Sequence, residues 1–412
     1  MNLPPAINTS AAIQDKERKI KILSVMIWVG LFAAIIFHYI AESILHRGYQ
    51  WSTFLFDPSD RFMDFYNTYD AFTEHRFNIS IFPTVPLFLF LFSVFQRNSA
   101  FLVFLTIFIC YFLWRCWQHI SISRLTKGQN IQNTGIIALM SYPFIFTLDR
   151  GNMEAYMFVF VSLFVFLFQK RKFIWASFFL ALAVGMKLFP AIFIVLYLKE
   201  KRYKELGIFF SFILLLGLSL FLAKDLNATI ARSKWFFDFY INGYIIGDSG
   251  FPFGHSLFAL VKAYYYTTAL AMGQPMTEYF VKNSGYILNN YSIFTFVTYA
   301  AVAIFIYRSR KLTYWRQVCI LTILFCLLPN VSGDYKLLHL ITPLLLYINT
   351  YEKSRYEQTF IYLFGLLLIP KAYYVFPIGV STAVILTPVI MLIFLYLLIW
   401  DNKVTCIQQH SS

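Results

Sequence analysis

Apolar runs of membrane length, parted by short clusters of lysine and arginine, recur along almost the whole of this 412-residue chain. A run of about 20 apolar residues satisfies its backbone internally as a helix, and that helix spans the roughly 30 Å hydrocarbon layer. Hydrophobic residues make up 59% of the sequence, 48 of them phenylalanine, more than a soluble core requires. The expected fold is an all-α polytopic integral membrane protein. It is read as a single transmembrane domain over residues 1–412, a bundle of about 10–12 transmembrane or re-entrant helices.

Thirty-four Lys and Arg against twenty Asp and Glu give a net charge of +14. On a soluble chain that balance would point to nucleic acid. Here the cations fall between the apolar runs, at Lys16–Lys21, Lys170–Lys172, Lys199–Lys204, Arg308–Lys311 and Lys353–Arg355. That is the positive-inside pattern, so the first partner is the lipid bilayer and no nucleic acid is expected. The five cysteines lie in apolar runs or the C-terminal tail, which implies neither a disulfide framework nor a cysteine-rich metal site.

Taking the basic clusters as cytosolic sets the order of crossings. Residues 1–21 form a cytosolic tail, Ile22–Ala41 crosses outward, and residues 43–79 form a first outer loop. Lys170–Lys172 and Lys199–Lys204 are separated by one apolar stretch, Phe173–Leu198, interrupted by Lys187 and Pro190; two short helices meeting at Lys187 fit both ends. Asp149 to Asn152 then lies outside, residues 224–286 form a second outer region with an interfacial helix near Phe258–Leu270, and 401–412 is a cytosolic tail. Parity requires that either Ile81–Phe95 or Ile136–Leu148 re-enters without crossing, and Arg115, Arg124 and Lys127 favour the first. No internal repeat of the inverted-transporter kind is present.

The first outer loop carries Asp57, Asp60, Asp64 and Asp70 within Phe56–Phe72, in a chain of which only 13% is charged. Such a loop is either ordinary solvated surface or a set of carboxylates at the mouth of an apolar bundle. The topology gathers further polar residues on that side: Asp149, Arg150, Asn152, Glu154, Lys187, His255, Asp334 and Lys336. A charge at mid-membrane costs about 2.5–3.5 kcal/mol on insertion scales, so these residues either pair internally, as Glu154 with Lys187 or Asp149 with Arg150, or face a cavity. Cations beside a carboxylate suit displacement of a lipid phosphate: positive charge meets the leaving group, and the carboxylate takes a hydroxyl proton.

The ordered set Gly151-Asn152, Lys170–Lys172 and Lys187-Leu188-Phe189-Pro190 resembles the middle region of the C-type glycosyltransferases that use polyprenyl-phosphate sugars, specifically glycosyltransferase family 87. Asp64-Phe65-Tyr66 is similar to the family's first-loop segment, and Gly254–Leu257 to its Asn-x-Ser-Leu turn with glycine for asparagine. Ser332-Gly333-Asp334 matches a late Ser-x-Asp motif, with Tyr335 and Lys336 where that motif has histidines. The resemblance implies a C-type bundle with a catalytic first outer loop. It implies an inverting transfer of mannose or another hexose from a polyprenyl-phosphate donor to a glycan or glycolipid acceptor on the non-cytosolic face.

On that reading Asp64 is the general base, with Asp60 the alternative. Arg150, Lys187 and Lys336 hold the donor phosphate, and Asn152, Glu154, His255 and Asp334 line the cavity. No cofactor or metal ligand set is expected, although the aspartate oxygens leave a divalent cation open. Two other classes explain the intramembrane charges: a transporter or flippase for a lipid-linked sugar, and a polymerase or ligase using a lipid-diphosphate donor.

Overall fold

Helix α1 runs from Thr9 to Tyr39 and continues into a π turn over Ile40–Ile44. The computed structural model describes residues 9–46, 62–75, 79–222, 225–249, 251, 254–374, 380–401 and 405–407. The basic stretch read above as a tail therefore supplies the first turns of α1 from residue 9. Asp15 and Lys19, one turn apart on its inner face, are buried and paired at 2.7 Å.

Helix α2 (Met63–His75) buries Phe65, Tyr69 and Phe72, spaced as one face of a helix requires. That face packs on α4 (Arg97–Ile120). Between them α3 (Thr84–Phe92) has nine residues, about 14 Å of helix, too short to cross a bilayer. Helices α5 (Lys127–Leu139) and α6 (Tyr142–Arg150) meet at a 58° bend. Pro143 at the start of α6 lacks the amide that would have continued the helix.

Helix α7 (Glu154–Gln169) is buried on nearly every side, and α8 (Phe173–Met186) runs back along it. The chain breaks at Lys187, whose extended backbone (φ −154°, ψ 141°) leads into a 3-10 turn over Phe189–Phe193 and then α9 (Ile194–Lys199). This is the interruption that Lys187 and Pro190 foretell. Beyond it lie α10 (Tyr203–Leu218), α11 (Leu226–Phe239), α12 (Leu257–Ala271) and α13 (Met276–Arg308). The expected span Tyr291–Tyr307 is the second half of α13, a 33-residue helix. Helices α14 (Tyr314–Leu327) and α15 (Ile341–Ile348) are joined through a 3-10 turn at Asp334–Leu340, and α16 (Glu357–Leu368) and α17 (Ala383–Trp400) follow. Strands β1 (Tyr351–Lys353) and β2 (Thr405–Ile407) pair antiparallel.

Among the described residues five helices are long and apolar enough to span a membrane: α1, α4, α10 with the turn after it, α13 and α17; the bent α5–α6 pair adds a sixth if it is one span. The protein is an all-α polytopic membrane protein. The apolar windows of α10 and α13 are only 6% and 17% buried, so these helices face lipid, whereas the shorter α7 and α14 form the packed centre.

Two ends follow from the hairpin. Helix α7 starts at Glu154 and delivers Lys170–Lys172 about 24 Å away. The Lys199 ammonium donates to the Ser309 carbonyl at 2.9 Å, which brings the Lys199 and Arg308–Lys311 clusters together at that basic end. Lys187 returns to Glu154 at the other end.

Candidate active site

Gly151 shapes the turn between α6 and α7. Its φ of 60° is left-handed, and a Cβ there would stand 3.2 Å from the side chains of both Phe65 and Phe101, so conformation and space both call for glycine. The Phe62 amide donates to the Asp149 carbonyl at 3.0 Å and ties the start of α2 to the end of α6. Asp64, in the first turn of α2, is thereby set between the residues on either side of Gly151. Arg150 Nη2 donates to Asp64 Oδ1 at 2.7 Å, with Nε 3.4 Å from Oδ2, and Asn152 Nδ2 donates to Oδ2 at 2.6 Å.

Asn152 also works in the other direction. Its Oδ1 accepts the Glu154 amide at 2.9 Å, satisfying one of the free donors at the start of α7. Glu154 is fully buried, and a buried carboxylate persists only with partners. It has two: Lys187 Nζ lies 2.6 Å from Oε2, and His339 Nε2 lies 3.1 Å from Oε1. The ion pair expected of Glu154 and Lys187 is present. His339 was not foreseen; in a 3-10 turn residues i and i+3 eclipse, so the spacing from Lys336 was its one signal.

Lys336 is buried, with its Nζ 4.5 Å from the centroid of the Phe189 ring and 3.3 Å from the Val331 carbonyl. Among the described residues no carboxylate comes within ion-pair distance of it. His255 and Asp334 form a third group. His255 Nδ1 is 3.1 Å from Asp334 Oδ1 and its Nε2 is 3.1 Å from Ser332 Oγ, with a Gly254–Gly333 bridge holding the two loops in register.

The site is layered by access. The side chains of Asp64 and Arg150 are 25% and 26% exposed and that of Lys187 is 35% exposed, whereas Glu154, His339, His255 and Asp334 lie buried behind them. Asp60 lies outside the described residues. Among the described residues no three His, Cys, Asp or Glu side chains group as a metal site.

The model of a protein family described as glycosyltransferase family 87 matches residues 81–329. The match takes in Arg150, Asn152, Glu154, Lys187 and His255, while Asp64, Asp334, Lys336 and His339 lie beyond its limits. No curated protein and no solved structure matches the chain.

Proposed function

The chain belongs to glycosyltransferase family 87 and is a multi-pass membrane glycosyltransferase; from that premise we propose that it transfers a hexose, mannose or a close relative, from a polyprenyl-phosphate donor to a glycan or glycolipid hydroxyl on the non-cytosolic face. The observation that carries the reading is Asp64, aimed by Arg150 and Asn152 yet one-quarter open to an entering acceptor. A carboxylate oxygen accepts two hydrogen bonds, so the pair fixes the orientation of Asp64 and leaves a lone pair for the acceptor hydroxyl. As that proton passes to Asp64, the hydroxyl oxygen bonds to the anomeric carbon. The bond from that carbon to the phosphate oxygen breaks on the opposite side, inverting the centre and releasing polyprenyl phosphate.

Lys187 and Lys336 supply the positive charge the departing phosphate needs, with the guanidinium charge of Arg150 beside Asp64 adding to it. Lys336, whose neighbours are a carbonyl and aromatic rings, is the ammonium with charge to spare. Glu154 and His339 hold Lys187 from behind, while His255 and Asp334 shape the loop that carries Lys336.

Vesicles carrying the purified protein and radiolabelled polyprenyl-phosphate mannose or glucose test the proposal directly. Glycoside formation from one of them is expected; transfer from a lipid-diphosphate donor alone would overturn it. In the same assay Lys336→Met is expected to raise the KM for donor about tenfold or more, the worth of one charge-assisted contact to phosphate. An unchanged KM would remove Lys336 from the phosphate site. Sidedness has its own readout: a cysteine at Asp70 should label from the non-cytosolic side, and one at Lys172 from the cytosolic side. Labelling of both from one side would refute the proposed orientation.

A further inference from the structure

A groove of about 440 Å³ runs between α1 and α5 at the basic end of the bundle, away from the site just described. Its α1 wall passes from charge to hydrocarbon: Glu17 and Lys21 stand just before the apolar run that opens at Ile22, and Val25 and Trp28 follow on the same face. Glu17 to Trp28 covers about 16 Å along the axis, the depth from headgroup level into the acyl region, and a tryptophan at that boundary is favoured. The facing wall on α5 repeats the gradient, with the amides of Gln132 and Asn133 giving way to Ile136. Glu17 and Lys21 are one turn apart with the polarity that favours pairing, yet among the described residues neither is in an ion pair. Between them and Trp28 sits Ser24, only 8% exposed, whose hydroxyl has no hydrogen-bond partner among the described residues. A buried hydroxyl left without a partner is uncommon, and here it lines the groove.

We propose that this groove binds a phospholipid with a phosphoethanolamine headgroup, drawn from the leaflet at the basic end. The ammonium of the headgroup meets Glu17, and its phosphate meets Lys21 and the α5 amides. A glycerol ester oxygen accepts from Ser24, and an acyl chain lies along Val25, Trp28 and Ile136. Two opposite charges a helical turn apart match a zwitterion, whereas a purely anionic headgroup would leave Glu17 opposed to its phosphate. This site stands independently of the sugar donor, since α1 brings Lys21 to the end of the bundle remote from Asp64.

The test uses the full chain in phosphatidylglycerol vesicles doped with photoactivatable phosphatidylethanolamine, with labelled peptides mapped by mass spectrometry. Labelling is expected on residues 17–28 and 129–136 in excess of that on lipid-facing α10 positions such as Leu214. Unlabelled phosphatidylethanolamine should compete and phosphatidylglycerol should not. The double variant Glu17→Gln, Lys21→Gln should lower groove labelling about tenfold. Both residues are exposed, so the variant should elute as wild type and keep its sugar transfer. Ser24→Val should lower groove labelling on its own. Labelling spread evenly over α10 and the groove, indifference to the double variant, or protection of the groove by a second copy of the chain in native mass spectra would each overturn the assignment.

Discussion

Asp64→Asn is expected to lower sugar transfer by about 10²–10⁴-fold, the usual contribution of a general base, while donor binding and elution behaviour stay close to wild type. Asparagine keeps the shape and one acceptor oxygen for Arg150 or Asn152. The ion pair it gives up is one-quarter exposed on both sides, and a pair that open to water contributes at most about 1 kcal/mol to stability. Loss of turnover would therefore report chemistry. Asp70→Asn is the control: Asp70 pairs with Arg97 at 2.8 Å on an exposed surface, and its removal should leave transfer within about threefold of wild type. Near-normal transfer by Asp64→Asn would move the base elsewhere in the first loop, with Asp60 the next position to test.

Glu154→Leu should give the largest loss of stability, about 3 kcal/mol, read as a lowered midpoint of thermal unfolding in detergent. Removing one partner of a buried ion pair costs about 3–5 kcal/mol, and the lower figure applies because Lys187 retains some solvent. The double variant Glu154→Leu, Lys187→Met removes both charges and should recover much of that loss. It also separates the two uses of Lys187. A double variant that folds well and transfers no sugar places Lys187 at the phosphate; one that folds well and transfers normally makes it a structural counter-ion. An unchanged midpoint in Glu154→Leu alone would mean that the pair contributes nothing to the fold.

The fold is legible in the sequence where a single residue overrides a hydropathy pattern. Lys187, followed three residues on by proline, cannot sit quietly in the middle of a helix, and that was enough to place the break. One of the two partners of Glu154 follows as well, since Lys187 is the cation that the topology brings back beside it. Contacts between distant segments were harder. The sequence suggests Asp149 as the partner of Arg150, yet adjacent residues on a helix point in different directions, and the Arg150 guanidinium reaches Asp64 across 86 positions. His339 lies 185 positions from Glu154, and the late motif drew attention to Tyr335 and Lys336 instead. In the first turns of α1, hydropathy registers Asp15 and Lys19 as polar and says nothing of their buried pairing.

The spacing of the Glu154 partners along the chain has a bearing on how the protein is made. Glu154 leaves the ribosome 33 residues before Lys187 and 185 before His339. At about 5–20 residues per second those intervals are roughly 2–7 s and 9–37 s. For the first interval the Glu154 carboxylate waits at the start of an apolar segment without the lysine that pairs with it. The α7–α8 hairpin is then the smallest unit in which that charge is answered, so the two helices have reason to enter the bilayer together, as one step, with His339 closing the arrangement only when the turn between α14 and α15 is laid down. Substitutions at Lys187 would on this account reduce the yield of inserted protein as well as its activity, and the two losses would separate in a pulse-labelled translation with membranes present.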